Sequence, residues 1–389
     1  MDCKLKKLIG LFLLTTMITI LFPTQGFAAP EQQPLLETTA ESAILIDAVT
    51  GKVLFEKAAD VERPPASVTK VMTLLVALEQ LAKGKISLSD KVVTSENASG
   101  MGGSQVYLEP NEELSMREML ISIAVGSAND ACVAVAEHIA GSHEAYVKMM
   151  NDKAKELGLK HTHFANAYGL PAEGHYTSAR DLAVMMREAL KYPLFSKLTS
   201  IKRYDLRGGE FVLWNTNKLL WWYDGCDGGK TGWTSEAKYC LASTCKRNGL
   251  RLIAVVMATP EPRSHFRESM RLYNYGFARY EAANIAEQGK KLGKIRVSKG
   301  QWDWVDAVTA SDVAIVVPKG EKKSVTYKLD LLPYVKAPVK KGQKVGQVTV
   351  MKDKEQVLKV NLVAARDVEK GGVFKHIVKL VRSTITPAE

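Results

Sequence analysis

From Val68 to Leu81 apolar residues occupy nearly every direction of a helix: Val68, Val71, Met72, Leu74, Leu75, Val76, Ala77 and Leu78 leave almost no polar face. The pattern predicts a buried central helix, opened after Pro64 and Pro65 with Ser67 in its first turn, and ended near Gly84. A second apolar helical stretch, Met116 to Ile139, is interrupted by Gly126-Ser127-Ala128-Asn129-Asp130, polar residues that suit the cap of a new helix. Tyr176 to Leu190 predicts another helix, with Ser178 as cap and Asp181 placed to reach back to it, and Phe266 to Tyr280 a further one.

Strand patterns surround these helices. Ala43 to Lys57 reads as two strands about a Thr50-Gly51 corner, while Glu210 to Trp214, Tyr239 to Cys245 and Arg251 to Ala258 read as strands of one sheet. After Tyr280 the character changes. A short polar passage, Ala283 to Lys291, leads into short runs at Ala314 to Val317, Val325 to Leu331, Val345 to Val350 and Val357 to Val363. In the second run Val325, Tyr327, Leu329 and Leu331 are expected inward, against Thr326, Lys328 and Asp330, as in a small all-strand domain. Gly371-Gly372 then introduces a basic amphipathic tail. Phe374, Ile377, Val378, Val381 and Ile385 share one face and Lys375, Lys379 and Arg382 another, which suits an anionic membrane surface or a packed terminal helix.

Lys4, Lys6 and Lys7 precede an apolar run from Leu8 to Phe22, and Gly26-Phe27-Ala28 offers small residues where a signal peptidase cuts. The expected organisation is an export signal (1–28), a spacer (29–41), a first domain (42–282), a strand domain (283–370) and the tail (371–389). The formal charge of +11 implies anionic surroundings. No basic stripe interleaved with aromatics points to nucleic acid, which leaves anionic lipid or an acidic wall polymer. Of the five cysteines, Cys3 goes with the signal. Cys132, Cys226, Cys240 and Cys245 are expected as buried thiols, and Cys240 and Cys245, five apart in a strand, face opposite sides.

Ser67 and Lys70 stand three apart, so a helix projects both from one face, and backbone N–H groups at its start favour negative charge. Alone, Ser-x-x-Lys also describes a capped helix with a solvated lysine. Asn97 to Gln105 is a glycine-bearing loop, and Asp227-Gly228-Gly229-Lys230-Thr231-Gly232-Trp233-Thr234 sets glycines around a lysine and a threonine, so that a substrate backbone can lie along a strand edge. His161 and His163 stand two apart without a His-Glu-x-x-His pattern and read as loop residues; neither a metal nor another cofactor is expected.

Read jointly, Ser67-x-x-Lys70, Ser127-x-Asn129 and Lys230-Thr231-Gly232 resemble, in order and spacing, the three motifs of the penicillin-recognising serine enzymes. Ser127-Ala128-Asn129-Asp130-Ala131, Asn215-Thr216-Asn217-Lys218-Leu219, Gly169-Leu170, Gly174-His175-Tyr176-Thr177 and Ala337-Pro338-Val339-Lys340-Lys341-Gly342 look like the secreted D-alanyl-D-alanine carboxypeptidases, the low-molecular-mass penicillin-binding proteins. The resemblance implies an α/β (α+β) domain with a central antiparallel sheet flanked by helices, followed by a small all-β sandwich.

It also implies an activity and its residues: removal of the last D-alanine from peptidoglycan stem peptides, with β-lactams as covalent inhibitors. Ser67 would be the nucleophile, Lys70 its base, with a pKa lowered by burial and by Lys230, and Ser127 the proton relay to the leaving amine. Asn129 would hydrogen-bond the substrate and hold Lys70 in place; Lys230 and Thr231 would take the terminal carboxylate; Gly232 would belong to the same substrate-binding stretch; and the N–H groups of Ser67 and Trp233 would form the oxyanion hole. The implied location is the outer face of the cytoplasmic membrane or the cell wall. Two rivals are a serine β-lactamase, for which no Glu-x-x-Leu-Asn stands between Asn129 and Lys230, and a catalytically idle wall-binding protein.

Overall fold

The helix expected after Pro65 organises the first part of the computed structural model, which describes residues 36–372. The expected export signal and the amphipathic part of the tail lie outside the described residues. A single 3-10 turn, Ala66–Thr69, leads into α1 (Lys70–Ala82), whose residues from Lys70 to Leu78 are all buried.

Strands β1 (Ser42–Asp47), β2 (Val53–Lys57), β7 (Cys226–Thr234), β8 (Lys238–Arg247) and β9 (Leu250–Thr259) form a central sheet, in the order β2-β1-β9-β8-β7 and antiparallel throughout, while β3 (Lys91–Val93) and β4 (Glu113–Ser115) pair apart from it. Every residue of β1 is buried, as a strand covered on both faces requires. Ile44, Ile46, Ile253 and Val255 point into the large core that also holds α1. Leu45 and Leu252 point the other way, against Gly276 of the long helix Ser264–Arg279. The sheet is therefore covered by helices on both sides, with β2 and β7 as its edge strands.

Met116–Ile121 forms α2, a π-helical turn follows at Ser122–Gly126, and α3 runs from Asn129 to Ala140, so the polar interruption does start a new helix. Its N-cap is Ala128, without a side-chain cap bond. Ser178 caps the helix Ala179–Ala189 through the amide of Asp181. The Asp181 carboxylate does not return to Ser178; it accepts from His161 N and Thr162 Oγ1. The strand at 210–214 is corrected too. Phe211–Trp214 (β6) pairs only with Arg203–Leu206 (β5), apart from the central sheet.

Beyond the helix Ser264–Arg279 the chain passes directly into β10 (Tyr280–Ala286), where a polar passage was expected. Burial of Ala282 and Ala283 in its pairing with β13 (Val313–Pro318) explains the difference. Six strands form the facing layer, in the order β14-β16-β17-β12-β11-β15: β11 (Lys291–Ser298), β12 (Trp304–Thr309), β14 (Val325–Leu331), β15 (Tyr334–Lys336), β16 (Lys344–Lys352) and β17 (Glu355–Ala364). The layers share a core of Ile295, Val297, Val305, Ile315, Val348 and Leu362 among others. Val325, Leu329 and Leu331 pack against it as expected, but Tyr327 is exposed.

Candidate active site

Ser67 sits half-buried in the 3-10 turn, and the residue before it, Ala66, has φ +49, a conformation that costs an L-residue about 1–2 kcal/mol. Neighbours hold it there. Thr69 Oγ1 donates to the Ala66 carbonyl at 2.8 Å and lies 2.9 Å from His175 Nε2. His175 Nδ1 accepts from Ala165 N, so its proton is on Nε2, and burial depresses its pKa to about 4. Gly169, at φ +92, lies so close that a Cβ there would stand 2.0 Å from Ala66 O.

Lys70 is fully buried. Its Nζ lies 2.9 Å from Ser67 Oγ, 2.7 Å from Asn129 Oδ1 and 2.6 Å from the carbonyl of Tyr168. Neither Oδ1 nor a carbonyl can donate, so a neutral amine spends its two N–H bonds on them and turns its lone pair to the Ser67 hydroxyl. Burial lowers the Lys70 pKa to about 8, against the opposing pull of Cys132 and Asp130. Lys230 is held well below its usual range, first by burial and then by the charge of Lys70, so the two buried amines oppose each other's protonation.

Ser127 follows the π-helical turn in a left-handed conformation, φ +62, and lines a cleft of about 420 Å³ together with Ser67, Thr231, Gly232 and Trp233. Asn129 turns its amide nitrogen to Gly102 O at 2.7 Å, which brings the glycine-bearing loop to α3. The buried Asp130 accepts from Val106 N and Leu108 N and so holds the continuation of that loop. Gly232 on β7 packs against the start of the nucleophile turn, where a Cβ would lie 3.0 Å from Ser67 N. Thr231 Oγ1 donates to Thr216 Oγ1 at 2.6 Å. Lys230 is buried and donates to Thr231 O, outside the cleft lining, whereas Trp233 is exposed.

The structure thus gathers Ser67, Ser127, Thr231, Gly232 and Trp233 at one cleft, with Lys70, Asn129 and Lys230 behind them. Residues not singled out for the site complete it. Asn166 accepts from Gly169 N and donates to Leu170 O, a turn that aims the Tyr168 carbonyl at Lys70. Asn217 donates to Gly228 O and ties the Thr216 segment to β7. The cysteine expectation is partly corrected. Cys226 and Cys245 stand opposite each other across β7 and β8 and form a disulfide, while Cys132 and Cys240 are free and buried.

Two families match the chain: D-alanyl-D-alanine carboxypeptidase over residues 28–261, and penicillin-binding protein 5, C-terminal domain, over residues 280–370. The D-alanyl-D-alanine carboxypeptidase DacF of Bacillus subtilis is 42% identical, over 95% of each chain. Penicillin-binding protein 5 of Haemophilus influenzae is 34% identical and superposes with a TM-score of 0.68, covering 87% of this chain and 99% of that one. Penicillin-binding protein D2 of Listeria monocytogenes, solved in an ampicillin-bound form, is 29% identical with a TM-score of 0.58, covering 63% of this chain and 100% of that one.

Proposed function

The chain belongs to the D-alanyl-D-alanine carboxypeptidase family, and from that premise we propose that Ser67 is its nucleophile and Lys70 the base that activates it. It is a serine carboxypeptidase of the low-molecular-mass penicillin-binding proteins, acts on peptidoglycan at the cell wall and reacts with β-lactams. The substrate we assign is a stem pentapeptide ending in D-Ala-D-Ala.

In the proposed sequence, neutral Lys70 takes the Ser67 proton as Oγ attacks the carbonyl between the two D-alanines. The N–H groups of Ser67 and Trp233 receive the oxyanion, a contribution of roughly 3 kcal/mol per donor. Ser127 gives its proton to the departing amine and takes the one held by Lys70, the C–N bond breaks, and D-alanine leaves an ester on Ser67 with Lys70 neutral again. Water then attacks the ester and gives a proton to Lys70, which returns it to Ser67 Oγ as the ester bond breaks and the shortened peptide leaves. Asn129 orients the substrate and Lys70. Thr231 and Lys230 take the terminal carboxylate, whose arrival favours the charged form of Lys230. The basic tail, 371–389, rests on the outer face of the cytoplasmic membrane.

The observation that supports this reading most is the position of Lys70 Nζ, between two pure acceptors and the Ser67 hydroxyl. Ser67→Ala is expected to abolish release of D-alanine from such a pentapeptide; continued release refutes the assignment.

A further inference from the structure

The chain's charge is unevenly placed. Residues 283–370 hold eighteen lysines and arginines against ten acids, a net of +8 out of +11, while residues 29–282 carry a net of −1. The reaction at Ser67 accounts for none of that excess.

Within the six-stranded layer, Trp304 of β12 and Tyr334 of β15 both stand opposite Arg296 of β11, so the three side chains form one row across three strands. Ile295, Val305 and Val335, next to them along the strands, point into the core, so the row points outward. Trp304 is 48% exposed, Tyr334 59%, and Trp302, just before β12, 51%. Lys294 Nζ lies 5.0 Å from the centroid of the Trp304 ring and the Arg366 guanidinium 5.0 Å from that of Trp302. Asp306, an acid of the same face, is neutralised by Lys291 at 2.6 Å.

The end of the described chain meets this patch. Gln301 N donates to Glu369 O and Gly371 N to Lys299 O, so residues 369–371 run antiparallel beside 299–301, the segment that leads into Trp302, and the described chain ends at Gly372 just past Lys299. In the sequence, the amphipathic basic stretch begins at the next residue, Val373.

We propose that this aromatic and basic face of the β domain docks on an anionic phospholipid bilayer, as a second contact beside the tail. Trp and Tyr rings settle at the headgroup level, and each Lys or Arg near an anionic surface adds about 1 kcal/mol. A short amphipathic segment binds reversibly, and a patch at its root raises total binding because the first contact holds the second near the surface. Aromatic rings also stack on sugars; the cations over the rings, the local charge and the exit of the tail select lipid.

The proposal rests on the wall enzyme reading only for which membrane is met. The test is flotation of the full mature chain with phosphatidylglycerol-containing vesicles and with pure phosphatidylcholine vesicles. Binding to the anionic vesicles, weakened by salt, is expected. Trp302→Ala/Trp304→Ala/Arg296→Glu is expected to lose it about tenfold or more, and Arg296→Glu alone several-fold. Phe374→Asp/Ile377→Asp, in the tail, is expected to leave a salt-sensitive remainder. Unchanged benzylpenicillin acylation shows that each variant is folded. Equal vesicle binding by the triple variant overturns the proposal, as does capture of the wild-type chain by purified peptidoglycan with no vesicle binding. A wild-type chain that binds vesicles but is not acylated instead strikes at the serine-enzyme reading.

Discussion

Asn129 Oδ1 lies 2.7 Å from Lys70 Nζ, and the amide nitrogen of the same side chain is engaged by Gly102 O at 2.7 Å. The second bond fixes which end of the amide faces the lysine. Asn129→Asp puts a carboxylate there, favours the ammonium and lowers the share of free base. Acylation by benzylpenicillin is expected to slow by about tenfold or more at neutral pH, with the loss shrinking as pH rises. Rates measured across pH check both parts.

Lys70 acts as a base only when neutral, and burial places its pKa near 8. The acylation rate therefore rises with pH up to about 8 and then levels. Lys70→Arg, which stays charged, is expected to lose about 10²–10⁴-fold at every pH. A flat wild-type profile from neutral to alkaline pH contradicts the assignment of the base.

Gly169→Ala tests the support of the nucleophile turn. The new Cβ meets Ala66 O at 2.0 Å in a backbone held at φ +92. About 2–4 kcal/mol of stability is expected to be lost, from overpacking and left-handed strain together. Thermal unfolding measures the loss. Acylation is expected to slow as well, because Tyr168 O and Ser67 N both move.

His175 and His265 are buried and neutral, each depressed to about 4 from 6.5. The unfolded chain takes up these protons first, so the contribution to stability is whole above pH 6.5 and lost as pH falls through about 4. The melting temperature is expected to drop across that window, and less steeply in His175→Gln. An equal slope in that variant counts against His175 as a source.

Much of this was legible in the sequence because it was local. Ser67 and Lys70 share a helix, and the apolar run from Val68 to Leu78 fixed the burial of Lys70 that depresses its pKa. Contacts that depend on register were not legible. The Cys226–Cys245 disulfide needs β7 aligned with β8, and β6 has the composition of a sheet strand yet pairs only with β5. Tyr168 contributes a carbonyl, a group every residue owns, so nothing in its side chain marked it; Asn166, which shapes that turn, was the available signal. Lys230 was expected at the cleft from its Lys-Thr-Gly motif, and the burial of its side chain outside the cleft lining follows only from the fold.

The most direct test of the account is mass spectrometry of the protein after reaction with benzylpenicillin, followed by mapping of the modified peptide. The predicted result is one penicilloyl group on Ser67, absent from Ser67→Ala. A penicilloyl group on any other residue, or its persistence in Ser67→Ala, contradicts it.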